Sequence, residues 1–76
     1  MFERISIDPK VCHGKPVIKG TRVLVSNILG ELASGSSFEE ILEEYPNIKK
    51  EDIQEALSFG SYLSNYESFP YEFSSK

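Results

Sequence analysis

Apolar residues alternate with polar ones near the start of the chain, and this spacing indicates β-structure. The segment at residues 3–8 places Ile5 and Ile7 two positions apart, which is the period of a half-buried strand. Val17 and Ile18 form a second short run of residues that favour strands. The pattern therefore predicts two short strands that can pair with each other.

From residue 26 onward the apolar positions recur every three or four residues, which predicts helices. Gly35 can supply a left-handed stop to the first helix. Ser37, followed three residues later by Glu40, can form a capping box at the start of the second. The helices are predicted at residues 26–34, from Ser37 to the residue before Pro46, and at residues 50–64.

One apolar stripe on each helix defines the predicted core. The stripes are Ile28, Leu29, Leu32 and Ala33 on the first helix, Phe38, Ile41, Leu42 and Tyr45 on the second, and Ile53, Ala56, Leu57, Gly60 and Leu63 on the third. The predicted fold is mostly α, a three-helix helix-turn-helix (homeodomain-like) bundle preceded by a short N-terminal β-hairpin. A single domain is expected at residues 1–64, with a β arm at 1–25, the bundle at 26–64 and a tail at 65–76.

Size and composition restrict the class of protein. The chain has 76 residues, so one small core is expected, and a homodimer or higher homo-oligomer would supply further stability. A single cysteine gives no intramolecular disulfide, and no apolar run is long enough to span a bilayer. These features favour a cytoplasmic protein with no membrane partner.

Charge is divided along the chain. The net charge is −4, yet residues 1–22 carry five basic residues against two acidic ones and sum to +3, while the remainder sums to −7. A nucleic acid would be attracted to the first part and repelled by the second, unless dimerisation gathers the basic segments on one face.

Two groups of residues are candidates for binding nucleic acid. In the turn after the second strand, Arg22 and its neighbours either contact phosphates or an acidic partner, or form a turn whose arginine pins the helices to the hairpin. On the third helix the basic and amide groups suit DNA, but Glu51, Asp52 and Glu55 oppose it. The candidates are Lys19, Thr21 and Arg22 in the turn and Lys49, Lys50, Gln54 and Ser58 at the third helix.

Aromatic and acidic residues are interleaved at the end of the chain, where Pro70 prevents a helix from continuing. A core this small is already filled, so these rings are expected to contact a partner. The candidates for partner binding are Tyr62, Tyr66, Glu67, Phe69, Tyr71, Glu72 and Phe73.

No residue pattern predicts catalysis, a metal or a cofactor. Cys12 and His13 adjoin, but two neighbouring ligands cannot close a tetrahedral zinc site, so a small buried Cys and a surface His in a turn are expected. The acidic run at residues 39–44 flanks an apolar stripe and is interpreted as the solvated face of the second helix. The protein is therefore predicted not to be an enzyme.

A family resemblance adds a function. The segments GKPVIKGTR, followed by V-x-x-I-L, then SGSSFEEILEEYP and KKEDIQEAL, resemble the domain-of-unknown-function family 433 over roughly residues 3–63. The resemblance implies an antitoxin that neutralises a PIN-like ribonuclease toxin and represses its own operon by binding operator DNA. The alternative is a dimeric helix-turn-helix regulator with no toxin partner. This sequence departs from the family at Lys49, where the family usually has a Thr or Ser cap.

Overall fold

The computed structural model describes residues 2–66, which form a short hairpin followed by three helices. A 3-10 turn at Cys12–Gly14 lies between the two strands. Strands β1 and β2 are Ile5–Ser6 and Val17–Ile18, and helices α1, α2 and α3 are Val25–Ala33, Phe38–Glu44 and Lys50–Tyr66. The predicted fold, a mostly α three-helix bundle behind an N-terminal hairpin, is confirmed.

Strand β2 lies in the middle of the β arm. It pairs antiparallel with β1, with Ile5 opposite Ile18. On its other edge, Ile18 donates its N–H to the carbonyl of Val23, and Val25 donates to the carbonyl of Pro16. Both edges of β2 are therefore paired, and its two side chains are each only 2% exposed.

The helix ends follow the local signals in the sequence. Gly35 adopts a φ of 100°, the left-handed stop predicted after α1. At α2 the predicted capping box is present: the Ser37 hydroxyl accepts from the Glu40 N–H at 3.1 Å, and the Glu40 carboxylate accepts from the Ser37 N–H at 2.8 Å. Helix α3 continues to Tyr66, two residues beyond its predicted end.

The core lies where α3 packs against α1, α2 and β1. Gly60 faces α1 closely, since a Cβ built on it would stand 3.2 Å from a methyl of Leu29. The buried apolar residues are Val17, Ile18, Val23, Val25, Ile28, Ile41, Ile48, Ile53, Ala56 and Phe59. No helix within residues 2–66 combines the length and apolar content that crossing a bilayer requires.

Three predicted core positions are wrong. Ala33 is exposed, and Leu57 and Leu63 are 43% and 48% exposed. The buried side of α3 is rotated from the predicted one, because the N-terminal segment also packs on this helix and covers Phe59, which the apolar spacing missed. Because α3 packs against both the other helices and the N-terminal segment, its buried side is not the one that the apolar spacing of the helix alone predicts.

Candidate nucleic-acid and partner interfaces

The turn after β2 is closed by its own backbone and hydroxyl groups. The Thr21 N–H donates to the Ile18 carbonyl at 2.9 Å, and Gly20 takes a φ of 80° that suits glycine. The Thr21 hydroxyl donates to the Ile18 carbonyl at 2.7 Å and accepts from the Val23 N–H at 2.9 Å. The hydroxyl of this candidate contact residue therefore has partners inside the turn.

The two cations of the turn face solvent. Lys19 and Arg22 are both exposed, and their side chains make no hydrogen bond or ion pair with any residue in the described range 2–66. The interpretation of Arg22 as the residue that pins the hairpin to the helices is wrong. That contact is made by Arg4 instead.

A shallow cleft of about 270 Å³ opens beside the turn. Val11, Val17 and Arg22 line it. Its remaining lining residues are Ser6, Gly20 and Thr21. The thiol of Cys12 lies nearby, with its Sγ 3.8 Å from the carbonyl oxygen of Arg22.

The candidate residues of α3 lie together on its exposed side. Lys50, Gln54 and Ser58 follow one another at intervals of four, so they form a row along the helix. Lys49 stands immediately before the helix and is also exposed. The structure thus brings the four candidates of the third helix onto one continuous surface.

Arg4 joins the β arm to α3 through two of its groups and bonds within the arm through a third. Its backbone N–H donates to the Glu55 carboxylate at 2.6 Å, and its guanidinium bonds to the Asp52 carboxylate at 3.1 Å. Its carbonyl accepts the N–H of Lys19 at 2.8 Å. The turn that carries the exposed cations is therefore held to the helix through one residue, which we call the Arg4 clamp.

Asp52 also caps the helix. Its second carboxylate oxygen accepts the backbone N–H of Lys49 at 2.8 Å, and its own N–H donates to the Lys49 carbonyl at 2.9 Å. Asp52 is only 6% exposed. The acid at the third helical position thus returns to the N-cap backbone, which compensates for a Lys at a position where a short polar side chain is preferred.

The Arg4 clamp changes the charge that α3 presents. Asp52 is buried and Glu55 is half-buried, and both carboxylates are bound to Arg4. Of the three acids expected to oppose DNA, only Glu51 is exposed beside Lys49 and Lys50. The sequence count of charge on this helix missed the clamp, since nothing in the local spacing connects position 4 with position 52.

The end of α3 carries an aromatic cluster. The ring of Phe2 meets Phe59 edge to face at 5.2 Å and Tyr62 at 5.5 Å. Tyr62, a predicted partner contact, is half-buried there. Tyr66 is the last residue of α3, and the other predicted contacts, Glu67, Phe69, Tyr71, Glu72 and Phe73, lie outside the described residues.

The Cys12–His13 pair lies in a turn of left-handed backbone, with φ of 50° and 60°. His13 is exposed as predicted, while Cys12 is half-buried, less than the buried cysteine expected. Across the described part of the chain, no three His, Cys, Asp or Glu residues are grouped so that they could hold a metal ion.

Two carboxyl groups meet between α1 and α2. The Glu31 carboxylate raises the pKa of Glu44, first through a hydrogen bond between the two side chains, then together with desolvation and charge repulsion. The Tyr45 hydroxyl donates to Glu31 at 3.2 Å, and desolvation raises the pKa of Tyr45, with the charges of Glu44 and Glu31 adding to it. The acidic face of α2 is exposed as predicted, but Glu44 interacts with a neighbouring helix.

Comparison with known proteins gives a family match. The chain matches the family described as protein of unknown function (DUF433) over residues 5–60. It is 37% identical over 52 residues to "Uncharacterized protein y4eO" of Sinorhizobium fredii, and 30% identical over 53 residues to "Putative antitoxin VapB45" of Mycobacterium tuberculosis. These segments cover 68% and 70% of this chain but 24% and 22% of those proteins, so the chain spans about a quarter of their length.

Solved structures share the fold. A crystal structure of a DUF433 member from Anabaena variabilis is similar with a TM-score of 0.76 and 28% identity, covering 83% of this chain and 62% of that one. The crystal structure of Rv2018 from Mycobacterium tuberculosis is similar with a TM-score of 0.62 and 30% identity, covering 70% of this chain and 24% of that one.

Proposed function

This chain belongs to the DUF433 family, and we propose that it acts as an antitoxin that binds and neutralises a PIN-like ribonuclease toxin. On this proposal it works by binding and performs no chemistry itself. The observation that carries the proposal is its 30% identity over 53 residues to the protein named "Putative antitoxin VapB45". That likeness covers 70% of this chain.

The segment proposed to contact the toxin follows the aromatic end of α3. Tyr62 packs against Phe2 there, so this end of the helix is in contact with the N-terminal segment. Residues 67–73 alternate acids with aromatic rings. Acidic groups suit the positive surface of an RNA-binding enzyme, and clustered aromatic rings are the side chains that most often dominate binding energy.

Co-expression with the product of the adjacent reading frame tests this function. We expect the full chain to restore growth of cells that express that ribonuclease and to co-purify with it. Changing Phe69, Tyr71 and Phe73 together to Ala should abolish both effects. The matched control changes Ser68, Ser74 and Ser75 of the same segment to Ala and should retain them. Equal rescue by the two triple variants would refute the assignment of the tail, and failure of the unaltered chain to bind or rescue would refute the antitoxin function.

A second candidate function is binding to operator DNA, and the Arg4 clamp favours it. Because Asp52 and Glu55 are withdrawn to Arg4, the exposed start of α3 has two lysines against one acid, with Gln54 and Ser58 beside them. The first turn of a recognition helix is where phosphate and base contacts are made in helix-turn-helix proteins.

A gel shift on the DNA upstream of the gene tests the second function. Substituting Lys49 and Lys50 with Ala should weaken binding. It should also make the plot of log binding constant against log salt concentration less steep, by about one unit of slope for each phosphate that is no longer neutralised. The same change at Lys10 and Lys15, which are exposed in the β arm, is the charge-matched control and should weaken binding less than the change on α3. No salt-dependent shift with the unaltered chain, alone or with toxin, would remove this candidate.

A further inference from the structure

The outer edge of β1 carries backbone groups that β2 does not use. The Lys19 N–H donates to the Arg4 carbonyl, and Ser6 lies opposite Val17. These two facts show which residues of β1 direct backbone groups toward β2. The Arg4 carbonyl and the backbone groups of Ser6 point toward β2, while the Arg4 N–H donates to Glu55. By the alternation of an antiparallel ladder, Ile5 and Ile7 direct their backbone groups away from β2. The Ile5 N–H is taken by the Phe2 carbonyl.

The Ile5 carbonyl and the N–H and carbonyl of Ile7 have no hydrogen-bond partner among residues 2–66. The side chain of Ile7 is 60% exposed, the highest value among the large apolar residues that are described. An edge that combines open backbone groups with an exposed isoleucine is suited to pair with another strand. The opposite edge of the arm is closed, since residues 23–25 cover β2.

We propose that two copies of this chain pair antiparallel through their β1 edges, with Ser6 facing Ser6 of the second copy. The Ile7 N–H of each copy then donates to the Ile5 carbonyl of the other. Because the twofold axis passes between the two serines, one surface serves both copies, as in an isologous dimer. The inference does not depend on the proposed antitoxin function.

Charge pairing across the two strands favours this register over the one shifted by two residues. With Ser6 opposite Ser6, Arg4 lies opposite Asp8 of the second copy, which pairs unlike charges across the strands. Shifting one copy by two residues would place Ile7 opposite Ile7 and Arg4 opposite Lys10, which pairs like charges. A shift the other way would need the Ile5 N–H, which already bonds to Phe2.

The pairing also completes a small sheet. Two short strands form a marginal sheet in water, whereas the dimer would have four strands in the order β2, β1, β1, β2.

A cysteine placed at the twofold axis tests the register. In a Cys12→Ser background, Ser6→Cys should form a disulfide-linked dimer under mild oxidation, because residues directly opposite at a non-hydrogen-bonded position have Cα atoms about 4.5 Å apart. Ser26→Cys in the same background is the control. Ser26 is exposed and lies beyond the other edge of β2, next to Val25. The Ser26→Cys chain should therefore run as a monomer on a non-reducing gel.

Sedimentation velocity tests the edge itself. The unaltered chain should sediment as a dimer of the 8.6 kDa chain, and Ile7→Lys should weaken self-association at least about tenfold. Leu57→Lys introduces the same charge at another exposed apolar position, 43% exposed on α3, and should leave the dimer intact. A monomeric unaltered chain, a dimer that survives Ile7→Lys, or cross-linking no greater at position 6 than at position 26 would each overturn the proposal.

Discussion

Replacing Asp52 with Ala tests whether the Arg4 clamp and the start of α3 are joined as described. The carboxylate of Asp52 accepts the Lys49 N–H at 2.8 Å and binds the Arg4 guanidinium at 3.1 Å, and the residue is 6% exposed. The substitution removes both contacts. It leaves the bond between the Arg4 N–H and Glu55 in place.

The expected cost follows from the two contacts. Loss of a cap to the first turn costs about 1 kcal/mol. The ion pair adds about 0.5 kcal/mol, because the Arg4 side chain is 40% exposed and water can solvate it once Asp52 is gone. We therefore expect the free energy of unfolding to fall by about 1.5 kcal/mol and Tm to fall by about 6–12 °C, since each kcal/mol shifts a domain of this size by about 4–8 °C.

Urea and thermal unfolding followed by circular dichroism measure the effect. Glu51→Ala is the control, because Glu51 lies in the same turn, carries the same charge and is exposed, and its side chain makes no hydrogen bond with the described residues. The difference between the two variants isolates the contacts of Asp52 from helix propensity and dipole effects. If both variants unfold within about 0.3 kcal/mol of each other, the capping and clamp contacts do not stabilise the fold.

Four further substitutions test other parts of the fold. Glu44→Gln should raise Tm above that of the unaltered chain at pH 7, and the difference should disappear in acid. The measurement is Tm as a function of pH, with Glu43→Gln as the control. The sign follows from the raised pKa of Glu44, since the folded state favours its protonated form and that contribution is lost as pH rises through the folded pKa. Gly20→Ala should cost about 1 kcal/mol because of its φ of 80°, whereas Gly30→Ala, within α1 and with open space for a Cβ, should add about 0.5–1 kcal/mol in urea unfolding. Thr21→Val should lower the free energy of unfolding by about 1–2 kcal/mol, because it removes both hydroxyl bonds of the turn, and a value equal to that of the exposed control Ser26→Val would contradict this.

Signals that act over three or four residues predicted the elements of this fold well. The Ser37 and Glu40 capping box, the left-handed Gly35 and the glycine turn after β2 all depend on neighbours in sequence, and all are present. The same reasoning erred at Leu57 and Leu63. Their helix is also covered by the N-terminal segment, and periodicity within one helix carries no information on which side a distant segment will pack.

The candidate surfaces were predicted less completely for the same reason. Lys19, Arg22 and the row on α3 were predicted as candidates from residue type and spacing, and all of them are exposed. The charge balance of α3 was not predicted, since it depends on an ion pair between positions 4 and 52. A count along the helix gives each acid equal weight, whereas burial withdraws Asp52 from solvent.

The Arg4 clamp combines residues inside and outside the range of the family match. The match covers residues 5–60, whereas the guanidinium that binds Asp52 and the Phe2 ring that packs on Phe59 come from positions 4 and 2. Without the Arg4 guanidinium, the charge of Asp52 would be uncompensated beside Lys49 and Lys50. The surface potential at the start of α3 therefore depends on this ion pair.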